Sequence, residues 1–394
     1  MVSISAREAR PILSGALFGA ALTAAGVYSP PVIISQMKLE SFHMLKVFLS
    51  ASATSAAIFL LAHRWSPTLA PPLQPSSLSL FPYDGNLIGG LLLGIGMALT
   101  GACPGTVLPQ VVTGHQSGRF AFLGGIIGGI LYSKLRPLIR RPEGTCTPMN
   151  KDAKPTIYQK LDPKADEIKA VYLYQNFCWG IILLASWLSK SQEQSLLSPT
   201  WGGICIGGAQ GASLWLTGRT LGTSAAYEQM GELFWWGVGR LGHAFLPPSS
   251  SVSKSHENGT AHLNGNGGLL PRGSANGNGV HKPHHLPIRP QTPRPSIPST
   301  LFTSGILLGS FLLSRTLTLP SPLPKFSLGT PSTIPEISTA RALLGGIAMV
   351  LGARIAGGCT SGHGISGMSL LSVSSIISVG AMFGGGIAWS LLVG

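Results

Sequence analysis

Long apolar runs alternate along this chain with short breaks rich in glycine, proline, serine and threonine. The apolar residues fill whole segments, without the one-sided spacing of a helix that lies on the surface of a soluble core. The runs cover residues 11–28, 43–62, 86–101, 119–133, 172–189, 229–246, 301–314, 341–357 and 373–393. Several approach the roughly 20 residues with which a helix crosses a bilayer, and the others are a few residues short. The pattern predicts an all-α polytopic membrane protein whose main surroundings are a lipid bilayer.

Composition agrees with this class. Only 10% of the 394 residues are charged, against about 25% in an average soluble domain. The chain also contains 52 glycines, which are costly in soluble helices but common where membrane helices pack closely.

Positive charge is concentrated outside the apolar runs. The formal net charge is +14, and nine Lys and Arg residues lie between Lys134 and Lys169. Basic residues beside membrane spans are typical of cytoplasmic loops. The charge is therefore interpreted as a topology signal, and no nucleic-acid partner is expected.

Two hydrophilic segments divide the apolar chain. Residues 134–171 form a basic loop, and residues 247–300, rich in Pro, Ser, Asn, Gly and His, have the composition of a disordered linker. The predicted organisation is a first transmembrane half at 1–133, a third repeat unit at 172–246 and a fourth unit at 301–394.

An internal repeat appears once these segments are set aside. The stretch "GLLLGIGMALTGACPGT" at 90–106 matches "GIAMVLGARIAGGCTSGHG" at 346–364, with weaker echoes at 14–32 and 202–224. Aligning Cys103 with Cys359 also pairs Gly96 with Gly352 and Gly101 with Gly357. Four units, each a glycine-rich helix, a break, a short apolar piece and another span, predict two pseudo-symmetric halves.

The breaks are the strongest indication of function. Backbone without its own hydrogen bonds is tolerated at membrane depth only inside the protein or beside a water-filled cavity. Matching breaks in two halves point to a transport site, and exposed helix N-termini favour anions. The candidate pathway residues are the glycines Gly101, Gly105, Gly357 and Gly358 and the hydroxyl residues Thr106, Thr360 and Ser361. The hydroxyls are expected to cap the following helices or to donate to a substrate oxygen.

One cysteine lies in each of the two stronger breaks. The thiols of Cys103 and Cys359 are soft, weak donors that suit a sulfur-bearing or redox-active substrate better than a hard cation. The chain has no CxxC pair, which argues against a disulfide framework. Cys146, Cys178 and Cys205 are interpreted as structural or incidental.

Two charged or titratable residues near the second cysteine allow two interpretations each. His363 is either a satisfied helix-cap residue or a donor and proton carrier in the pathway. Arg354 either holds backbone carbonyls of the breaks or supplies charge to an anionic substrate. Lys46 and Glu228 are expected near the membrane interface, so that no carboxylate lies in the apolar core.

The motifs "GACPGT" at 101–106 and "GGCTSGHGISG" at 357–367, with 26–51, resemble the YeeE/YedE (sulphur transport domain) family. The resemblance covers both halves but neither hydrophilic segment. It implies an hourglass in which short re-entrant helices meet at a central constriction. There, thiols pass thiosulfate by transient hydrogen bonds to its terminal sulfur, and the matching residues are Cys103 and Cys359. Some members carry a further cysteine in the first half, whereas this chain has none before Cys103.

Three functions remain open from the residues. The favoured hypothesis is a non-enzymatic transporter that takes up thiosulfate, or a related small sulfur oxyanion, across the plasma membrane without a cofactor. The alternatives are a membrane thiol oxidoreductase or sulfurtransferase, and a channel for another inorganic anion. No P-loop is present, so this chain is not expected to use ATP. Whether a soluble sulfur carrier receives the substrate is open.

Overall fold

A computed structural model of the chain describes residues 6–66, 68–139, 155–161, 166–188, 195–245, 297–317 and 337–393. The linker predicted at 247–300 and the basic loop predicted at 134–171 lie largely outside the described residues. The described residues up to Trp235 and from 297 onward belong to one compact unit, and those from Trp236 to Phe245 belong to a second. The four glycine-rich breaks all lie in the first unit.

The described chain is helical and contains no β-strand, with one isolated bridge between Thr156 and Ser372. The first half comprises α1 (Ala6–Ala24), α2 (Pro30–Met37), α3 (His43–Trp65), α4 (Asp84–Thr100), α5 (Val107–Val112) and α6 (Gln116–Ile139). The second comprises α7 (Ile157–Leu161), α8 (Glu167–Leu188), α9 (Pro199–Thr217), α10 (Ser224–Phe245), α11 (Pro298–Thr316), α12 (Thr339–Ala356), the π-helix Thr360–Gly367 and α13 (Val373–Val393).

Five of the described helices are long and apolar enough to cross a membrane: α3, α6, α8, α12 and α13. The apolar helix α4 is slightly shorter, at 17 residues. The prediction of an all-α polytopic membrane protein is therefore confirmed. The boundaries of the repeat units remain a prediction.

Each predicted unit has a left-handed glycine just after the helix that precedes its break. These glycines follow α1, α4, α9 and α12, and they are Gly26 (φ 70°), Gly101 (φ 60°), Gly218 (φ 66°) and Gly357 (φ 87°). Glycine adopts this conformation without the Cβ clash that other residues suffer, and it ends a helix by bonding back to the last carbonyls. The four breaks thus share one local cause.

The segment after the terminating glycine differs among the units. A short helix comes next in the first, second and fourth units: α2, α5 and the π-helix, of 8, 6 and 8 residues. In the third unit the chain passes through residues 218–223 directly into the 22-residue α10. The third break therefore lacks the short apolar piece that the repeat pattern predicts.

Glycines also let helices of the two halves touch through their backbones. A Cβ on Gly89 of α4 would collide with the backbone of Ala356 in α12, and one on Gly309 of α11 would collide with Ala16 in α1. At the α3–α9 contact, a Cβ on Gly203 would collide with Ser50 and Val47. We call these three contacts (α4–α12, α1–α11 and α3–α9) the glycine seams. Small residues allow such close approach between membrane helices.

Two charged residues predicted near the interface lie inside the protein. Lys46 in α3 is 3% exposed and Glu228 in α10 is 6% exposed. For Glu228 the reason is an arginine partner on α12. The expectation that no carboxylate lies in the apolar core is wrong at this position.

Candidate functional site

The break that carries Cys103 is closed by residues close to it in sequence. At its start, Gln110 Nε2 donates to the carbonyl of Gly101 at 2.7 Å, which satisfies a carbonyl freed by the end of α4. The glycine is also crowded, because a Cβ there would lie 2.8 Å from Cβ of Pro30. Gly101 is thus required by both conformation and space.

Thr106 fixes the thiol of Cys103. Its hydroxyl accepts from the backbone N–H of Cys103 at 2.8 Å and lies 3.3 Å from Sγ of the same residue. The backbone N–H of Thr106 is 3.4 Å from that sulfur. The side chain of Thr106 does not cap α5. It holds the cysteine instead, so its predicted capping role is replaced by a positioning one.

The second thiol, Cys359, immediately precedes the π-helix. Its Sγ lies 3.2 Å from Oγ of Ser361 and 3.3 Å from Oγ1 of Thr223. The cysteine is 1% exposed and its backbone carbonyl accepts from the N–H of His363 at 2.8 Å. Two hydroxyl groups, one from a different unit, therefore contact this sulfur.

His363 closes the end of α12. Its Nε2 lies 3.1 Å from the carbonyl of Ala356 and its Nδ1 lies 3.0 Å from Oγ of Ser375. Asn86 of α4 donates to the same Ala356 carbonyl at 3.1 Å. With both ring nitrogens engaged, this geometry favours the helix-cap interpretation. It also explains Gly358, whose Cβ would lie 3.0 Å from the imidazole Nε2.

Arg354 pairs with a carboxylate near the same helix end. Its Nη2 forms an ion pair with Oε2 of Glu228, and its Nη1 lies 3.5 Å from Oγ of Ser224. Glu228 also contacts Arg136 of α6 at 3.1 Å. The positive charge of Arg354 is therefore balanced by a buried acidic partner that the sequence analysis placed at the interface.

Thr223 is the residue that connects the two cysteine loops. It is fully buried, it contacts Cys359 through its hydroxyl, and it borders the second loop at Gly105. A Cβ placed on Gly105 would lie 3.5 Å from Oγ1 of Thr223 and 3.9 Å from Sγ of Cys103. Thr223 therefore contacts the Cys359 thiol directly and lies beside Gly105 in the loop that carries Cys103.

Tyr227 makes a second connection, one turn further along α10. Its buried hydroxyl donates to the carbonyl of Pro104 at 3.1 Å. The segment Thr223–Glu228 thus contacts the Cys103 loop through Tyr227 and the Cys359 loop through Thr223. Sequence reasoning missed both residues because the third unit has no cysteine at its break to attract attention. The "GTS" at 222–224 was the available signal.

Two methionine thioethers lie beside the hydroxyl of Thr360. Its hydroxyl lies 3.4 Å from Sδ of Met382 and 3.6 Å from Sδ of Met97. Neither Thr360 nor Cys359 caps the π-helix through its side chain. The thioethers add soft, polarizable atoms next to the second thiol, a feature that the sequence analysis did not predict.

A cavity of about 40 Å³ adjoins the two breaks. Its polar lining comes from Cys103, Thr106, Thr360 and Ser361, and the rest is apolar, including Phe18 and Phe48. This volume holds only one or two water molecules. The site is therefore tightly constricted in this conformation.

Buried, hydroxyl-contacted thiols at helix breaks, within a bundle of apolar helices, define a class: an integral multi-pass membrane protein with an internal polar site. The sequence model of the sulphur transport family matches residues 25–388 of the chain. The chain belongs to this family, as the motifs at 101–106 and 357–367 predicted, and is a sulfur-related membrane transporter. A comparison with curated protein sequences finds no match.

Proposed function

We propose that this protein takes up thiosulfate, or a closely related small sulfur-containing anion, through the constriction lined by Cys103 and Cys359. The observation that carries the proposal is the pairing of a buried thiol with a hydroxyl at both breaks, at 3.2–3.3 Å. Thiosulfate presents one terminal sulfur and three oxygens on one small anion. Thiols suit the soft sulfur, and hydroxyls donate to the oxygens.

The electrostatics of the throat also enter the proposal. Moving a dianion into an apolar interior is expensive unless polar groups compensate. The six-residue α5 provides a weak helix dipole, and Arg354 is balanced by Glu228. We propose that neutral donors, the thiols and the hydroxyls of Thr106, Thr223 and Ser361, carry most of the compensation. In this scheme Arg354 holds the breaks together and does not meet the substrate directly.

The alternative of thiol exchange is disfavoured by the surroundings of the two sulfurs. Both cysteines are buried free thiols whose sulfurs contact hydroxyl groups. Disulfide exchange requires a thiolate with access to the sulfur that it attacks, and burial of both thiols restricts that access. We therefore propose transport without a covalent intermediate, in the plasma membrane. A soluble sulfur carrier would be an optional recipient.

Uptake by sealed proteoliposomes tests this function. Wild-type protein should accumulate labelled thiosulfate, with excess unlabelled sulfate competing weakly, since sulfate lacks the terminal sulfur. Cys103→Ala and Cys359→Ala should each reduce uptake to near the background of empty vesicles, at normal yield. Cys205→Ala is the matched control, because Cys205 is exposed on α9, whereas Cys103 and Cys359 are buried.

Three results would contradict the proposal. Full uptake by Cys359→Ala would exclude the thiol from the pathway. Equal competition by sulfate and thiosulfate would favour a general anion channel, whereas turnover of a disulfide substrate in detergent, where no gradient exists, would favour an enzyme.

A further inference from the structure

A cavity in the compact unit that contains the four breaks lies beside the third break. It has a volume of about 590 Å³ and is formed by the start of α1, the end of α9, residues 219–222 and the start of α11. Its lining includes Arg10 and Arg219, the hydroxyl residues Ser213, Thr217 and Thr220, and also Glu8. Gly222 belongs to this lining, and the next residue is Thr223.

The neighbouring residues Gly222 and Thr223 have different surroundings. Gly222 borders the open cavity, whereas Thr223 is 0% exposed and its hydroxyl lies 3.3 Å from Sγ of Cys359. One residue therefore separates a polar cavity from the second thiol. The same side chain lies within ordinary contact distance of a Cβ built on Gly105, next to Cys103.

We infer that Thr223 is the gate between this cavity and the two thiols, and that its hydroxyl is a third group that contacts the passing anion. The inference rests on the proposed function for the identity of the anion, but not for the gate itself. A neutral hydroxyl can donate to an oxyanion at the moment when a thiol is beside the terminal sulfur. Thr223 thus donates to the oxygens of the anion while Cys359 contacts its terminal sulfur.

The neighbouring contacts explain how the gate is held. Tyr227 and Glu228 lie on the first turns of α10 and bind the Pro104 carbonyl and Arg354, respectively. The preceding residues 218–222 contain two glycines, and a Cβ on either Gly218 or Gly222 would meet nothing within 4 Å. Leu221 is buried and bonded to Gln210 and Ser366. Thr223 is therefore anchored on both sides, and the gate acts through its side chain.

Chemical modification of Cys359 tests the gate independently of any transport activity. In a background with Cys146, Cys178 and Cys205 replaced by alanine, an anionic methanethiosulfonate reagent is added to proteoliposomes, and modification is read by mass spectrometry of the Cys359 peptide. Thr223→Ala should speed modification about tenfold, because the hydroxyl and methyl that cover the sulfur are removed, while Thr223→Leu should slow it. Thr303→Val, a buried threonine in α11 that bonds Thr300, is the matched control.

The substrate contact has its own readout in uptake kinetics. Thr223→Val keeps the shape and removes the donor, so KM for thiosulfate should rise about tenfold, the value of one hydrogen bond to a charged group. Thr223→Ser restores the hydroxyl and should restore KM, which a purely structural role would not require. An unchanged KM in the valine variant overturns the contact with the anion.

The outcomes separate this inference from the proposed function. A modification rate unchanged in both Thr223→Ala and Thr223→Leu overturns the gate, whatever uptake shows. If the wild type fails to accumulate thiosulfate but Thr223→Ala still exposes Cys359, the proposed substrate fails and the gate stands. If Cys359→Ala abolishes uptake while the Thr223 variants behave as wild type in both assays, the proposed function stands and this inference fails.

Discussion

The loops that carry Cys103 and Cys359 occupy matching positions in the repeat, but different parts of the chain hold them. Around Cys103 the groups that hold the thiol itself are local: Thr106 binds its N–H and its sulfur, and Gln110 binds the carbonyl of Gly101. Tyr227 adds a distant bond to the Pro104 carbonyl. Around Cys359 the local partners Ser361 and His363 are joined by distant ones: Thr223 contacts the sulfur, and Asn86 binds the end of α12. A local loop keeps its geometry when neighbouring helices shift, whereas a loop held from outside senses their positions. The comparison assigns a fixed thiol to one half and an adjustable thiol to the other.

The largest expected effect comes from breaking the ion pair between Glu228 and Arg354, near the loop that carries Cys359. Glu228→Gln leaves Arg354 without its carboxylate, and losing one partner of a buried pair costs about 3–5 kcal/mol. The side chains are 9% and 15% exposed, so solvent relieves little of this cost. Thermal unfolding in detergent should show the loss, with recovery in the double variant Glu228→Gln with Arg354→Gln.

Arg354 itself offers a sharper version of this experiment. Arg354→Lys keeps the charge but loses the planar fork that reaches both Glu228 and Ser224, so its stability should fall between wild type and Arg354→Gln. Arg136→Gln, which removes the half-exposed partner of Glu228, should cost no more than about 1 kcal/mol. Wild-type stability of Glu228→Gln would show that the pair does not hold the loop.

The next largest effects on stability are expected from replacing Gly101 and Gly357, the glycines that end α4 and α12, and the two effects should differ. Gly101→Ala and Gly357→Ala both place a Cβ in the left-handed region, at φ 60° and 87°, for about 1–2 kcal/mol. Gly101→Ala also meets Cβ of Pro30 at 2.8 Å, so it should be the more destabilising. Thermal unfolding of the two single variants checks the order. The reverse order would mean that the Cys103 loop tolerates backbone adjustment better than its local bonds indicate.

An effect of similar size is expected from the hydroxyl that fixes Cys103. Thr106→Val leaves the buried N–H of Cys103 without a partner, at a cost of about 1–3 kcal/mol, and should lower thiosulfate uptake. Thr106→Ser should preserve both. Thr113→Val, at the end of α5 and bonded to the Pro109 carbonyl, controls for a threonine change nearby. Normal uptake by Thr106→Val would remove this residue from the site.

The smallest effect should come from Ser361→Ala. The sulfur of Cys359 loses one hydroxyl partner but keeps Thr223, so stability should change by no more than about 1 kcal/mol. Uptake should fall less than in Thr106→Val. One hydroxyl residue contacts the sulfur of Cys103, whereas two contact the sulfur of Cys359. Combining Ser361→Ala with Thr223→Val should lower uptake by more than the sum of the single effects, and simple additivity would argue against shared support.

The break positions could be predicted because their causes are local. A glycine at each helix end, with Pro, Thr and Ser after it, encodes a stop in the sequence itself, and the Cys103–Cys359 alignment followed. The apolar runs similarly predicted the helical membrane class. The buried pair of Glu228 with Arg354 was not predictable in this way, because it depends on how α10 and α12 pack. Nothing in the residues beside Glu228 distinguishes a paired carboxylate from one at an interface.

Dependence on tertiary packing also explains why the sequence analysis missed Thr223 and the absence of a short helix at the third break. A threonine after a glycine is common in loops, and its importance arises only because the third break passes between the loops of the second and fourth units. The long α10 in place of a short helix is also a tertiary result, since its first turns are held by Tyr227 and Glu228. His363 was left between two roles for a related reason: its partners include Ala356, close in sequence, and Ser375, on the next helix.

The glycine seams restrict how this molecule can move. Each joins a helix of the first half to a helix of the second, with backbones in direct contact at Gly89, Gly203 and Gly309. A mechanism in which one half rocks as a block against the other would have to part all three seams and lose their close backbone packing. We therefore expect the packed helices to stay in place during transport and the residues of the breaks to make the movements that let the substrate pass. Local opening of a narrow passage within a fixed helix bundle fits this architecture better than rotation of one half against the other.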